Sequence, residues 1–433
     1  MRNLGSVVRE FSIIVNHGGN VEPYTIGMSI DTARAVISGR FPNLWPAVEA
    51  GLSTCATLIL ADNANPVALI YVGPPSAGKT TVVSMFDGSP WCYRSDKFTP
   101  AAFVSQSAKV TQAQLAKIDL LPRIKHKVLL TPELSTVFRG KQDELAGRFS
   151  IITRVLDGQG LLIDSGTHGQ RGYTGDYFFA WLGATTPFEH TVWKVMAQLG
   201  SRLFFLMLDA VAEPTVDELV ASLSQPATYR EGLVKCREVV HQYLEGLFAQ
   251  HSGVRGVQWT SEQNPSEVVR GISQCASVLA VMRTPYEVGK AVQPESPHRA
   301  NAVLYNLARG HALVSGRTCL TQDDLPMIAR ISLSSVPAER SAVLLAFAKK
   351  AGKPLTVKQV EEATGVSRHT AEGVMAEMEW LGVAQFENKG NGIPALLTLK
   401  PEWAWIAQGE FAALLQEGAT WQESGVECRS ASS

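Results

Sequence analysis

The stretch VALIYVGPPSAGKTT has the residue types and spacing of a phosphate-binding loop. From Gly73 to Thr80 it matches GxxxxGK[ST] at every fixed position. In such a loop the backbone amides surround the phosphates, the lysine reaches the β- and γ-phosphate oxygens, and the hydroxyl binds Mg²⁺. An apolar strand pattern precedes the loop and TVVSMF predicts a helix after it, which favours this interpretation over a chance glycine-rich turn. The predicted nucleotide-binding residues are Gly73, Pro74, Pro75, Ser76, Ala77, Gly78, Lys79, Thr80 and Thr81, and the predicted nucleotide is ATP or GTP.

A second acid follows another apolar run, in KVLLTPELS. We interpret Glu133 as the acid that polarises the attacking water, with Thr131 holding a magnesium-bound water through its hydroxyl. The aspartate expected just before this glutamate is absent, which predicts slow hydrolysis. Two alternatives remain: Glu133 begins the next helix after a merely buried strand, or Asp164 in LLIDSG is the acid.

Two further segments end or begin at polar residues suited to nucleotide chemistry. FFAWLGATTP predicts a buried strand whose terminal Thr186 orients the water beside the γ-phosphate. MAQLGSRLFFLML places Arg202 just before another buried strand, where an arginine can serve the nucleotide of a neighbouring subunit. An ordinary salt-bridged arginine is the alternative at that position.

SGTHGQRGYTG is rich in turn residues and has apolar segments on both sides, which predicts a long hairpin. We expect His168, Arg171 and Tyr173 at its tip. A cation, an imidazole and an aromatic ring there suit phosphate contact and base stacking in DNA, although a solvated loop fits the same residues.

The segment from Lys353 to about Glu402 predicts helix, turn, helix and a two-stranded wing, similar to a winged-helix domain. Ser367 is the predicted N-cap of the second helix. If this unit binds DNA, Arg368, His369 and Thr370 face the groove, and Lys389 on the wing touches phosphate. Lys349 to Glu402 contains seven Lys/Arg and seven Asp/Glu, and this lack of basic excess keeps protein docking open as the alternative.

The whole chain has 433 residues, 45% of them hydrophobic, and a formal net charge of −1. Its length suits two or three domains, and its charge excludes a protein coated with basic residues. The six cysteines form no CxxC pair or zinc-type cluster. No apolar run has the length of a signal peptide or a membrane span, so we expect a cytoplasmic protein with no membrane partner.

Strand and helix patterns alternate to about Asp209, which predicts an α/β fold with a parallel sheet between layers of helices. Helical patterns dominate after that point. The predicted organisation is a helical segment at 1–60, a nucleotide-binding αβα core at 61–212, a helical lid at 213–345, the winged helix at 346–402 and a frayed tail at 403–433.

The order of these pieces resembles the AAA+ ATPases, in particular the clade of MCM helicases and MoxR-type remodellers. GPPSAGKTT is similar to Walker A, LLTPEL to Walker B, GLLIDSG…GDYFFAWL to the pre-sensor hairpin, GATTP to sensor 1 and LGSRLFF to the arginine-finger segment. ESPHRANAVLYNLARGHALVSGRTCLTQDDL is similar to the helical lid, with Arg299 at the sensor 2 position. The resemblance spans Val67 to Ile331. It departs from the family in lacking the Walker B aspartate, in having threonine at sensor 1 and in having no lysine at the hairpin tip.

The resemblance implies a ring or spiral of identical subunits, usually a hexamer, with ATP and Mg²⁺ bound between neighbours and a lid that moves during hydrolysis. We therefore expect an ATPase that acts on DNA as a helicase, translocase or loader. The alternatives are a nucleotide-gated assembly switch or scaffold, and a MoxR-like remodeller whose winged helix recruits a protein partner.

Overall fold

The central element of this computed structural model is a parallel sheet of five strands, in the order β2, β3, β6, β1, β7. The strands are β1 (Ala68–Val72), β2 (Cys92–Arg94), β3 (Val128–Thr131), β6 (Ala180–Thr185) and β7 (Leu203–Met207). The structure describes residues 28–105, 111–165, 169–200, 202–209, 216, 220, 226–287, 289, 291–388 and 394–421.

Both faces of this sheet are buried. In β1, Leu69 and Tyr71 enter one hydrophobic cluster, whereas Ala68, Ile70 and Val72 enter the other. Successive side chains of a strand point to opposite faces, so a strand covered on both sides reads as a continuous apolar run. This is why VALIYV could be recognised as a strand, and the predicted α/β class with a parallel sheet is confirmed.

Helices form the layers on the sheet and the region after it. Those of the first half are α1 (Ile30–Arg40), α2 (Trp45–Ala56), α3 (Lys79–Met85), α4 (Gln112–Ile118), α5 (Leu120–Ile124), α6 (Gln142–Val155) and α7 (His190–Leu199). Those that follow are α8 (Pro226–Gln250), α9 (Ser266–Met282), α10 (His298–Val314) and α11 (Leu325–Ser334). The helix predicted from TVVSMF is confirmed as α3, and the described residues after Asp209 are mainly helical, as their pattern predicted.

Helix α2, near the amino end, packs closely on α10. A Cβ at Gly310 would lie 2.2 Å from the carbonyl oxygen of Ser53, so only glycine permits this approach. The helical segment at the amino end is therefore built into the region predicted as the lid.

The predicted hairpin is present, but the prediction of its second strand was wrong. β4 (Gly160–Ser165) pairs antiparallel with β5 (Gly169–Thr174), and the apolar FFAWLGAT run forms β6 of the central sheet instead. Tyr173 is buried in β5 and donates its hydroxyl to Asp119 over 2.8 Å, so it does not lie at the tip. In this register Gly172 pairs with Leu162, and a Cβ on Gly172 would lie 2.0 Å from the Leu161 carbonyl oxygen. The pairing of β4 with β5 therefore requires glycine at position 172.

The carboxyl-terminal unit combines helices with a small antiparallel sheet in the order β8, β10, β9. Its elements are α12 (Ala338–Lys349), β8 (Leu355–Thr356), α13 (Val357–Thr364), α14 (Arg368–Trp380), β9 (Ala384–Glu387), β10 (Leu396–Leu399) and α15 (Gly409–Thr420). Ser367 accepts from the amide of Thr370 and caps α14, as predicted.

Two boundaries of this unit differ from the sequence-based organisation. The boundary expected at 345/346 falls inside α12, which packs on α13 and α15. The segment expected to be a tail contains α15, which buries Phe411, Leu414 and Leu415 and packs on α11. Residues 422–433 lie outside the described part of the chain.

Buried hydrogen bonds join the outer strand β7 to the carboxyl-terminal unit. Ser335 Oγ accepts from the Phe205 amide over 2.8 Å, and Arg283 donates to the carbonyl oxygens of Leu203 (2.8 Å) and Ser335 (2.7 Å). Arg340 is 1% exposed; it donates to the carbonyl oxygen of Thr284 (2.7 Å) and to Glu377 of α14 (2.9 Å). The sheet, the helices after it and α14 are thus linked through side chains away from solvent.

Across the described ranges, no helix combines the length and apolar character needed to cross a membrane.

Candidate functional site

The glycine loop, residues 73–80, leaves the carboxyl end of β1 at the point where the strand order of the parallel sheet reverses. β1 lies between β6 and β7, the last two strands of this sheet along the chain. In open α/β sheets, ligands bind outside the carboxyl ends of the strands at such a point. Gly73 is tightly enclosed there: its amide donates to the Thr185 carbonyl oxygen over 3.4 Å, and a Cβ would lie 2.7 Å from the Leu208 carbonyl oxygen.

Lys79 sits inside the curve of the glycine loop. Its Nζ donates to the carbonyl oxygens of Gly73 (2.8 Å) and Pro74 (2.5 Å), and the residue is 8% exposed. Ser76 (φ 66°) and Gly78 (φ 82°) take left-handed conformations that turn the chain around it. Burial lowers the pKa of Lys79, and the negative charge of Glu133 partly opposes this effect. The loop thus wraps closely around the side chain of Lys79, the first residue of α3.

The two threonines after Lys79 face different surroundings. Thr80 is exposed in the first turn of α3. Thr81 Oγ1 lies 2.8 Å from the hydroxyl of Tyr229 in α8, and Tyr229 packs edge-on against Phe41 with ring centroids 5.7 Å apart. Sequence analysis missed Tyr229 and Phe41, since nothing local in either segment points to the loop.

β3 brings the predicted second acid to the same edge of the sheet. Glu133 is exposed and its Oε1 accepts from the Ser135 amide over 2.7 Å. Its electrostatic effect on Lys79 shows that the two lie in one neighbourhood. The alternative acid, Asp164, is exposed on β4 of the hairpin, where its Oδ2 accepts from Gln170 over 3.4 Å.

Thr131 lies at the end of β3 with its side chain in the core. It is 1% exposed, and its Oγ1 accepts a hydrogen bond from Trp181 Nε1 over 2.7 Å. The Thr131 hydroxyl can still donate its proton to a second hydrogen-bond acceptor.

Thr186 follows β6, beside the glycine loop. It is half-buried, and its carbonyl oxygen accepts from the Thr185 hydroxyl over 3.1 Å. A cavity of 310 Å³ separates it from Ser135 and Arg139 in the segment after Glu133. Polar groups from β1, β3 and β6 therefore meet at one edge of the sheet.

The residues around the glycine loop suit Mg²⁺ that is bound together with a nucleotide better than Mg²⁺ that is bound by protein ligands alone. Within the residues that the structure describes, no group of three or more His, Cys, Asp or Glu side chains gathers to hold a metal ion. Mg²⁺ commonly keeps waters and is bound by few protein ligands plus substrate phosphates. Thr80 is suited to that role by its exposure, and Thr131 less so, because its oxygen already accepts from Trp181.

A second cluster lies at the opposite edge of the sheet, where three arginines share Asp157. Its Oδ1 lies 3.2 Å from Arg202 Nε and 2.9 Å from Arg299 Nη1, and its Oδ2 lies 3.4 Å from Arg154 Nη1. Burial lowers the pKa of Arg299, and the charge of Arg202 lowers it further. Arg154 was missed by sequence analysis, and its place one helical turn before Asp157 was the available signal.

The arginine cluster is remote from the glycine loop of the same chain. β7 runs parallel to β1 with Leu203 beside Ala68, so Arg202 precedes the amino ends of both strands. A strand of five residues is about 15 Å long. The fold thus brings together Arg202 and Arg299, to which the sequence analysis gave separate roles. Both lie on a surface that faces away from the glycine loop.

The candidate DNA-contacting residues lie in two places. Arg368, His369 and Thr370 are exposed in the first turn of α14, where Arg368 Nε lies 3.2 Å from Glu372 Oε1. Arg171 is half-buried in β5 opposite Ile163. His168 and Lys389 lie outside the described residues.

Comparison with known proteins found no matching family model and no matching curated sequence.

Proposed function

We propose that this protein is an oligomeric AAA+ ATPase that couples binding and hydrolysis of ATP to action on DNA. The observation that carries the proposal is the glycine loop with Lys79 nested at the carboxyl end of β1 and Glu133 at the same edge. The reversal of the strand order at β1 supports a nucleotide in this position. The carboxyl-terminal unit that contains α14, acting as a winged helix together with the hairpin, would supply the contact with DNA.

Lys79 would exchange its two carbonyl partners for phosphate oxygens when ATP enters. The loop amides and the amino end of α3 add hydrogen bonds to the same phosphates. Thr80 and phosphate oxygens would hold Mg²⁺, which would neutralise the charge that develops on the phosphates.

Glu133 would act on the water that attacks the γ-phosphorus. Its carboxylate accepts a proton from that water while the bond between the γ-phosphorus and the bridging oxygen breaks, giving ADP and phosphate. Thr186 orients the water from β6. In the described structure Glu133 accepts from Ser135, so this bond is exchanged when the carboxylate turns to the water.

Arg202 and Arg299 would complete the site of a neighbouring subunit. Their distance from their own glycine loop supports this assignment, and Asp157 keeps both guanidinium groups side by side before a phosphate arrives. An arginine supplied in trans stabilises the charge of the transition state. ATP would therefore bind between subunits, which favours a closed ring, with a hexamer as the expected form.

A nucleotide-gated assembly switch is the second candidate, and one observation favours it. Pro132 stands where an aspartate is expected just before Glu133, and the oxygen of the neighbouring Thr131 accepts from Trp181. In this case ATP binding assembles the subunits, turnover is slow, and α14 docks a protein partner, consistent with the pairing of Arg368 with Glu372.

The first experiment measures ATP hydrolysis with and without single- and double-stranded DNA. We expect Lys79→Ala to abolish ATP binding and Glu133→Gln to reduce hydrolysis to a small residual rate while retaining binding. We expect Arg368→Ala to lower stimulation by DNA without changing the rate in its absence. Absence of stimulation by any DNA would favour the switch, and hydrolysis by Glu133→Gln at the wild-type rate would refute the assignment of the acid.

A mixing experiment tests the shared site. Neither Lys79→Ala nor Arg202→Ala protein should hydrolyse ATP alone, but random co-assembly should restore about a quarter of the interfaces, each with one intact lysine and one intact arginine. Glu133→Gln mixed with Lys79→Ala is the matched control, because both changes affect the same half of the site and no interface is restored. Recovery in neither mixture would contradict a site shared between subunits.

A further inference from the structure

Arg148 in α6 holds the segment that follows Glu133. Its Nη1 donates to the carbonyl oxygens of Thr136 (2.5 Å) and Val137 (3.2 Å), and its Nη2 donates to that of Arg139 (2.5 Å). The rigid fork of a guanidinium presents donors in fixed, separated directions that match several acceptors, whereas an ammonium group presents its donors from a single atom. One side chain therefore fixes three carbonyl groups of a segment that has no helix or strand of its own.

The segment is shaped to receive this guanidinium. Gly140 has φ 129°, and a Cβ there would lie 2.4 Å from Arg148 Nη2. The side chain of Arg148 is only 22% exposed. A residue other than glycine at 140 would push the guanidinium out of its carbonyl cage.

The same segment is also anchored by the buried side chains of Leu134, Val137 and Phe138, and Arg148 adds the contacts to its carbonyl groups. Its start is tied to β6, because the Leu134 amide donates to the Ala184 carbonyl oxygen over 2.8 Å. Its other side faces the 310 Å³ cavity that reaches Thr186. Without Arg148, the carbonyl groups of Thr136, Val137 and Arg139 would lose these donors. The backbone beside the cavity would then shift, and with it the Ser135 amide that holds the Glu133 carboxylate.

We propose that Arg148 is a positioning residue for Glu133, which sets the carboxylate at the distance from the attacking water that hydrolysis requires. This inference rests on the proposed ATPase function. A displacement of about 1 Å in a reacting group can lower a rate by about a hundredfold. Arg148 does not contact the nucleotide, so its loss should lower kcat and leave ATP affinity unchanged.

The test compares Arg148→Met with wild type in single-turnover hydrolysis and in binding of a fluorescent ATP analogue. We expect hydrolysis to fall at least about tenfold, with affinity changed less than about twofold. Arg148→Lys should lie between them, since an ammonium group satisfies fewer of the carbonyls. Gly140→Ala should reproduce the Arg148→Met rate from the other side of the contact.

Combination with Glu133→Gln separates positioning from general destabilisation. If Arg148 acts through Glu133, Arg148→Met should cause no further loss in the Glu133→Gln protein. Lys141→Met is the control, because it removes an exposed positive charge just before α6 and should hydrolyse ATP at the wild-type rate.

Wild-type hydrolysis by both Arg148→Met and Gly140→Ala, with Glu133→Gln reduced to its residual rate, would overturn the proposal. A further loss in the double variant would overturn it too. If Glu133→Gln hydrolyses ATP normally, it is the proposed acid that fails, and this outcome is distinguishable from failure of the positioning role.

Discussion

Protonation of His311 should control the stability of this protein above neutral pH. Its Nδ1 lies 2.6 Å from Asp324 Oδ1, and its Nε2 lies 3.7 Å from Glu49 Oε1 in α2. Arg317 pairs with the same Asp324 over 2.7 Å. Burial by itself would lower the pKa of His311, but the hydrogen bonds and charges of Asp324 and Glu49 outweigh it and raise the pKa to about 9.

The magnitude follows from the difference between the folded and unfolded states. The ordinary pKa of histidine is 6.5, so the folded protein keeps this proton at pH values where the unfolded chain has lost it. The stabilisation is present in full below pH 6.5 and is lost as the pH rises through about 9. The gap between the two pKa values corresponds to about 3 kcal/mol, a large part of the total stability of about 5 to 15 kcal/mol that is usual for a folded protein.

Urea denaturation at a series of pH values measures this loss. The free energy of unfolding of wild type should fall between about pH 6 and about pH 9.5 by about 3 kcal/mol more than that of His311→Asn. Asparagine cannot be protonated in this range but retains an N–H donor for Asp324. The variant should therefore be less stable than wild type at low pH and similar to it at high pH.

The same substitution at a different histidine is the control. His241 Nε2 lies 2.8 Å from the carbonyl oxygen of Asp87, with no carboxylate in that contact. His241→Asn should follow the wild-type pH dependence. If His311→Asn loses stability with pH as steeply as wild type, the buried histidine is not the group that titrates and the reasoning is refuted.

Two further predictions concern buried polar contacts. Arg340→Met should lower the free energy of unfolding by about 3 to 5 kcal/mol, because Glu377 and two carbonyl groups lose their partner. Arg368→Met, at an exposed position, should change it by less than about 1 kcal/mol. Equal losses of the two variants in urea denaturation would contradict this contrast. Tyr173→Phe should lower the free energy of unfolding by about 1 to 3 kcal/mol, since the buried Asp119 loses one of its donors. The substitution should also speed hydrogen exchange of the β4–β5 amides. Unchanged exchange would show that this bond does not anchor the hairpin.

Local patterns were sufficient where one segment determines its own structure. The apolar run of β1, the amphipathic spacing of α8 and α9, and the Ser367 cap of α14 all follow from neighbours in sequence. The position of the glycine loop could be predicted for the same reason, since strand, loop and helix are contiguous. Helix α15 had a usable signal too, with Phe411, Leu414, Leu415 and Gly418 at helical spacing.

Features that depend on distant partners could not be predicted from the sequence. Tyr173 reads as a turn residue because the stretch around it is polar and rich in glycine, and its burial requires Asp119 from another element. The meeting of Arg202 and Arg299 depends on Asp157, and no pattern in either segment encodes that shared contact. The same holds for Arg148, whose acceptors are main-chain carbonyl groups that every residue possesses.

The hydrogen bonds of Ser335 and Arg283 to β7 have a mechanical consequence. β7 is the last strand of the central sheet, and along it the Phe205 amide and the Leu203 carbonyl group are already satisfied by side chains. Moving the α11–α12 junction from this strand would leave the Phe205 amide unpaired, and moving Arg283, at the end of α9, would leave the Leu203 carbonyl group unpaired, at about 1 to 3 kcal/mol each. Because Arg283 also binds the Ser335 carbonyl oxygen, both junctions resist separation from β7 and should move together with this side of the sheet.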